Sequence, residues 1–247
     1  MAAARKALAL DDTLIEAHAS LAHALCVYDF EWAAAERAFR RAIALDPGYT
    51  FARVAFAICL QDQGRFAEAI AVLEAARAVD PLAPFVSAVL GRVHVNARDP
   101  DRAVRALADA LELNPRFDLA HQQLGHAYLL LGRHAEALAS LRQASALSGG
   151  RDAPQVAYAL AVTGEREEAA ALLRELLDAP ADARPPAFNI AMACAGLGDA
   201  DAAFAWLERG YEERGSFMDG VKVTPAFETL HGDPRWDALL RRMGLAT

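Results

Sequence analysis

The chain has 247 residues, 33 acidic against 25 basic, for a net charge of −8, and its bases form no run longer than pairs such as Arg40-Arg41 and Arg241-Arg242. Such a surface repels nucleic acid on average, so no nucleic-acid partner is expected. Hydrophobic residues make up 55%, but much of this is alanine, a strong helix former and a poor membrane anchor, and no stretch nears the roughly eighteen uninterrupted apolar residues of a membrane span.

From the amino end, Met1 to Asp12 carries Arg5 and Lys6 without the apolar block of a signal peptide, so a cytoplasmic location is expected. Residues 1–14 read as a partial repeat. Ala7-Leu8-Ala9-Leu10-Asp11-Asp12 matches the closing turn of a second helix, as Ala42-Ile43-Ala44-Leu45-Asp46-Pro47 does further on. A second helix without its partner leaves an apolar stripe through Leu8 and Leu10. Either the chain continues a longer protein, or another molecule covers this edge, a homodimer among the options; a harmlessly frayed terminus is the third.

Residues 15–217 then divide into six units, 15–49, 50–83, 84–117, 118–149, 150–183 and 184–217. Ala22, Ala57, Gly91, Gly125, Ala157 and Ala191 stand eighth in their units, where two helices must touch. Twelve residues on, with one insertion in the first unit, comes an unchanging column of Ala35, Ala69, Ala103, Ala137, Ala169 and Ala203. Four further stands a large apolar one, Phe39, Leu73, Leu107, Leu141, Leu173 and Leu207. Gly64, Gly132, Gly164 and Gly198 mark the turn inside a hairpin; Pro47, Pro81 and Pro115 mark its exit. In the second unit the first helix is expected over about Phe51 to Gln63 and the second over about Phe66 to Val79. Residues 218–247 form a strap and a capping helix. The irregular stretch Ser216 to His231 is read as an ordered strap over the last hairpin, and Asp233-Pro234 starts a helix that buries Trp236, Leu239, Leu240 and Met243.

The period and registered columns resemble the tetratricopeptide repeat. The resemblance implies an all-α, right-handed α-solenoid of helical hairpins with a C-terminal capping helix, in which first helices line the concave side. The family aromatic at the fourth position is replaced by His18, Arg53, Ser87 or His121. The tail around Trp236 and the segment Tyr28 to Glu36 are similar to repeat arrays of bacterial multidomain signalling proteins, which sit behind winged-helix regulators, nucleotide cyclases or kinases. That likeness implies a self-associating or intramolecular regulatory module whose effector domain is absent here.

The main expectation is a non-catalytic scaffold that binds a protein or peptide in the concave groove. Family positions 2, 5, 9 and 12 give Phe51, Val54, Ile58 and Gln61; Phe85, Ala88, Arg92 and Val95; Leu119, Gln122, His126 and Leu129. A fitting ligand has a large apolar anchor and a carboxylate for Arg92. Phe51, Phe85 and Leu119 could equally seal adjacent hairpins. The positions used by chaperone-binding relatives hold Ala19, Ser20, His23, Ala55, Phe85 and Val89, with no basic and amide set, so chaperone tails are not expected.

No cofactor or metal is expected. Cys26, Cys59 and Cys194 are far apart, give no spacing support for a disulfide framework or zinc motif, and read as small buried hydrophobes. His18 and His23, like His121 and His126, are five apart, which turns them about 140° from each other on a helix. The serines lack a strand-elbow context, and Gly149-Gly150 lacks the lysine of a phosphate loop, so an enzyme is not expected.

Overall fold

The computed structural model describes residues 1–180 and 182–246, which are all-helical. Fourteen α-helices run in order among them: α1 (Ala2–Leu10), α2 (Ile15–Ala24), α3 (Trp32–Leu45), α4 (Thr50–Asp62), α5 (Phe66–Val79), α6 (Pro84–Asn96), α7 (Pro100–Leu113), α8 (Asp118–Leu130), α9 (His134–Leu147), α10 (Ala153–Val162), α11 (Arg166–Asp178), α12 (Ala187–Gly196), α13 (Ala200–Glu212) and α14 (Pro234–Arg242). From α2 to α13 they pair as six consecutive hairpins, stacked as a superhelix of the expected kind, and each even-numbered helix packs on the next.

The columns become the core. All six alanines of the unchanging column are fully buried, as are Phe39, Leu73, Leu107, Leu141 and Leu207 of the large one. The eighth position is small because the large column sits on it: a β-carbon at Gly125 would lie 2.5 Å from Leu141 Cγ, inside any allowed contact. The turn glycines adopt the left-handed conformation, with φ of 83° at Gly64 and 70° at Gly132. Two hairpins make the same turn without glycine, at Phe30 and Arg98, with φ of 56° and 61°.

The extra residue of the first unit is absorbed by a π-helical turn, Leu25–Asp29, at the end of α2. At the fourth position, His18, Arg53 and His121 each donate a side-chain N–H to the carbonyl six residues back, at Asp12, Pro47 and Pro115 respectively. They tie the entry loop to its helix by a polar bond, where an aromatic would do so by packing.

One expectation is corrected and another extended. Cys26 and Cys59 form a disulfide, with their Cα atoms 6.3 Å apart, between the π-turn of the first hairpin and α4 of the second. Neighbouring first helices bring together residues 33 apart, a separation that resembles no disulfide framework when read along the chain. Only Cys194 is a buried free thiol among the described residues. The strap reaches beyond the last hairpin. Its two 3-10 turns, Met218–Gly220 and Pro225–Leu230, bury Met218, Val221, Phe227 and Leu230, and they cross the concave face to meet the first three hairpins.

That crossing closes the superhelix on itself. Phe30 stacks on Tyr211 at 5.9 Å between ring centroids, and Trp32 Nε1 donates to the Met243 carbonyl at 2.8 Å. Arg98 pairs with Glu228 of the strap. The capping helix α14 buries Trp236, Leu239 and Leu240 as expected. α1 is present but buries no residue, and Leu10 at its end is 82% exposed.

Candidate functional site

A cavity of about 130 Å³ lies on the concave face, enclosed by α4, α6, α8, α10, α12 and the strap. Each helix contributes the stripe that faces inward at helical spacing: Ile58, Gln61 and Asp62 from α4, Arg92, Val95 and Asn96 from α6, Leu119, Gln122, Gln123 and His126 from α8. Gln155 of α10 and Phe188, Asn189 and Met192 of α12 complete the wall, and Phe217, Asp219, Gly220 and Pro225 close it from the strap side.

Seven of the groove residues expected from sequence therefore meet around one cavity: Ile58, Gln61, Arg92, Val95, Leu119, Gln122 and His126. The others lie elsewhere. Val54 and Ala88 are 2% and 0% exposed and packed into the core, unlike Gln122 at the same position of the next unit, and they offer a ligand no surface. Leu129 packs against the core around Leu138 and Leu160. Phe51 and Phe85, half exposed at the first turns of α4 and α6, rest against Tyr49 and Phe117 outside the cavity. Leu8 is partly exposed on α1 and lines no part of the cavity.

The lining is polar to a degree that a structural core does not need. Gln61 and Asp62 are 2% exposed, and Gln123, Gln155, Asn189 and Asp219 are also buried. One part forms a closed network. Gln122 Nε2 donates to Asp152 Oδ1 at 2.8 Å, Gln123 Nε2 donates to Gln122 Oε1 at 2.9 Å, and His126 Nε2 donates to Gln155 Oε1 at 2.7 Å. Removal from water pushes His126 below the usual histidine range.

The other part is unfinished. Gln61 spends its amide on Asp62 Oδ1 at 2.9 Å, leaving its own Oε1 without a donor. Arg92 Nε and Nη2 are buried with no acceptor, and among the described residues Arg92 forms no ion pair. Asp62 Oδ2 has no donor either, unless Asp62 or the facing Asp219 keeps a proton. Burial and the proximity of Asp219 hold the Asp62 carboxyl well above the usual range, and burial raises Asp219 too, while the Arg92 charge opposes both shifts.

Several of these residues escape a reading by family positions 2, 5, 9 and 12. Gln123, Gln155 and Asn189 stand sixth in their units, where the second and third units carry Ala55 and Val89. A polar residue replacing an apolar one in a core column was the available signal.

Among described residues no group of three or more histidine, cysteine or carboxylate side chains could hold a metal ion, and no helix is long and apolar enough to cross a membrane.

Tetratricopeptide-repeat models match residues 29–92 and 89–152 in succession, together half of the chain. No match was found among curated protein sequences. Of solved structures, the human IFIT1 dimer with m7Gppp-AAAA is 17% identical with a TM-score of 0.67 over 98% of this chain and 58% of its own. The Cut9–Hcn1 hetero-tetramer of the APC/C is 16% identical with a TM-score of 0.65, over 97% of this chain and 45% of that one. MamA is 23% identical, with a TM-score of 0.48 over 60% and 87%. At these identities the likeness of the first two shows the fold alone. The repeat columns, the stacked hairpins and the two successive model matches make the chain a member of the tetratricopeptide-repeat family.

Proposed function

We propose that the chain is a non-catalytic interaction module that binds a protein or peptide segment on its concave side, between the half-exposed aromatics Phe51 and Phe85 and the inward-facing Arg92. Repeats of this family mediate protein–protein contacts, and no enzymatic family is matched here. One observation carries the reading. The unpaired polar groups of Gln61, Asp62 and Arg92 gather on the first-helix face, whereas second helices carry exposed ion pairs such as Arg40 with Glu36, Arg77 with Glu74 and Arg142 with Glu168. An unpaired guanidinium beside apolar surface suits a carboxylate-bearing segment with a large apolar anchor. The strap then acts as a neighbour that narrows the groove.

Peptides captured from a displayed library and titrated by fluorescence anisotropy test this. Arg92→Ala and Phe85→Ala should each weaken the captured peptide at least tenfold while preserving the helical circular dichroism. Binding that is indifferent to both substitutions would reject the concave site.

A second reading makes the array a self-associating or intramolecular regulatory part of a bacterial signalling protein, working in the cytoplasm. It is favoured by the exposed Leu10 at the end of α1, a helix that buries none of its own residues. Light scattering across a dilution series tests it. A dimer that becomes monomeric when Leu8 and Leu10 are changed to glutamate supports self-association, and a monomer in both forms removes it. The Cys26–Cys59 bond bears on location, because a reducing compartment keeps such thiols open. Counting free thiols in protein isolated under alkylating conditions decides that point.

A further inference from the structure

We propose that the concave cavity is a site for a compact zwitterion, a free amino acid with an aliphatic side chain such as leucine or valine, whose carboxylate is taken by Arg92 and whose ammonium is taken by Gln61 and Asp62. The proposal goes beyond the peptide-binding reading and stands whether or not that reading survives.

The unfilled groups carry it. Arg92 offers two buried N–H-bearing nitrogens without acceptors, Gln61 Oε1 is a buried acceptor without a donor, and Asp62 Oδ2 finds one only in a proton shared with the facing Asp219. Donors and acceptors so close, yet satisfied by nothing in the protein, are costly unless a guest supplies both complements. The charges set the class of guest. Arg92 forms no ion pair among the described residues, and Asp62 and Asp219 face each other beside it, so one proton shared between them leaves a single negative charge against the guanidinium and the cavity close to neutral overall. A simple anion would satisfy Arg92 and crowd the acidic side, and a simple cation would do the reverse. A zwitterion bridges the two. The apolar walls of Ile58, Leu119 and Phe188 then take an aliphatic side chain, and the 130 Å³ of space suits a guest of that size.

Recognition by both ends makes the test direct. The full chain is titrated calorimetrically with L-leucine and L-valine, and with N-acetyl-L-leucine and L-leucine methyl ester, each of which removes one charge. Each free amino acid should bind and raise Tm by several degrees at saturation. Each capped form should bind about tenfold or more weakly, since it leaves one buried charged group unpaired. Asp62→Asn, which keeps the side chain's shape, should abolish the preference for leucine over its N-acetyl form. Leu82→Ala, exposed and outside the cavity, should leave leucine binding unchanged. Absence of any shift with leucine or valine would mean that the cavity holds water only and would overturn the proposal, as would equal binding of the capped forms. A peptide that binds with both termini blocked, where leucine does not, would reject the zwitterion site while leaving the peptide-binding module intact. Leucine binding with no peptide captured would do the converse.

Discussion

The eighth position shows how one atom decides a repeat. At Gly125 a β-carbon would meet Leu141 Cγ at 2.5 Å and Cδ2 at 2.8 Å, with the Ala137 carbonyl at 3.2 Å, so neither the side chain nor the backbone leaves room. Gly125→Ala should therefore cost about 1–3 kcal/mol through overpacking. Gly132, whose β-carbon would meet open space but whose φ is 70°, should lose only about 1–2 kcal/mol on the same change. Urea denaturation of both variants checks the order; equal midpoints would mean the hairpin breathes apart at Gly125. The buried acids offer a second prediction. Because the folded Asp219 carboxyl has a raised pKa, its stabilising contribution is complete below the ordinary aspartate value near 3.8 and is lost as pH rises through the folded value. Asp219→Asn should accordingly raise Tm at pH 7 by about 2–4 °C, with the advantage vanishing on acidification towards 3.8. Glu36, held low mainly by its bond to Arg65, works in the opposite sense, so wild type and variant must be compared at each pH. An offset that is the same at every pH would show that repulsion and burial at Asp62 and Asp219 are not its cause.

At the scale of elements, the strap and the π-turn do what the hairpins cannot. Phe227 is fully buried, edge-on to Phe188 at 5.2 Å and against Trp236 at 6.2 Å, so it joins the last hairpin to the capping helix. Phe227→Ala should cost about 3–5 kcal/mol by opening a cavity where three elements meet, read as a lowered denaturation midpoint. The disulfide closes a loop of 33 residues, worth about 3–4 kcal/mol in the chain-entropy account. Reduction should lower Tm, and a Cys26→Ser variant should show no further loss with reductant. The hairpins themselves were legible in the sequence because repeated columns at one spacing record the same local packing six times. The second unit's second helix was located to its end residues, Phe66–Val79. The strap's reach and the cysteine pair were not legible, since each depends on contacts made once, between elements brought together only by stacking. The cavity was half legible. Arg92, Gln122 and His126 lie on the family's inward stripe, but Asp219 enters from a segment with no repeat pattern to place it.

For the whole molecule, closure changes how the array should unfold. An open solenoid is a row of units coupled only to neighbours, so its ends fray first and its middle last. Here the first and last hairpins hold each other through Phe30 on Tyr211, with Arg214 and Arg242 over those rings, and through a buried bond between Trp32 and Met243, which are 211 residues apart. Among the described residues four non-glycine residues have positive φ: Phe30, Arg214 and Phe217 lie on this seam or on the strap that crosses to it, and Arg98 turns the third hairpin where it pairs with Glu228 of the strap. A left-handed non-glycine residue costs about 1–2 kcal/mol, so the seam contacts must outweigh that cost at each position. Hydrogen exchange should therefore show α3 and α13 protected about as well as the central α7 and α8. Phe30→Gly relieves the backbone cost and deletes the ring in one step. It should leave the centre unchanged while speeding exchange in α2, α3 and α13 together, because each end loses the other's support. Faster exchange confined to α2 and α3 would mean that the two ends touch without coupling, and the molecule would then unfold as an open row of repeats.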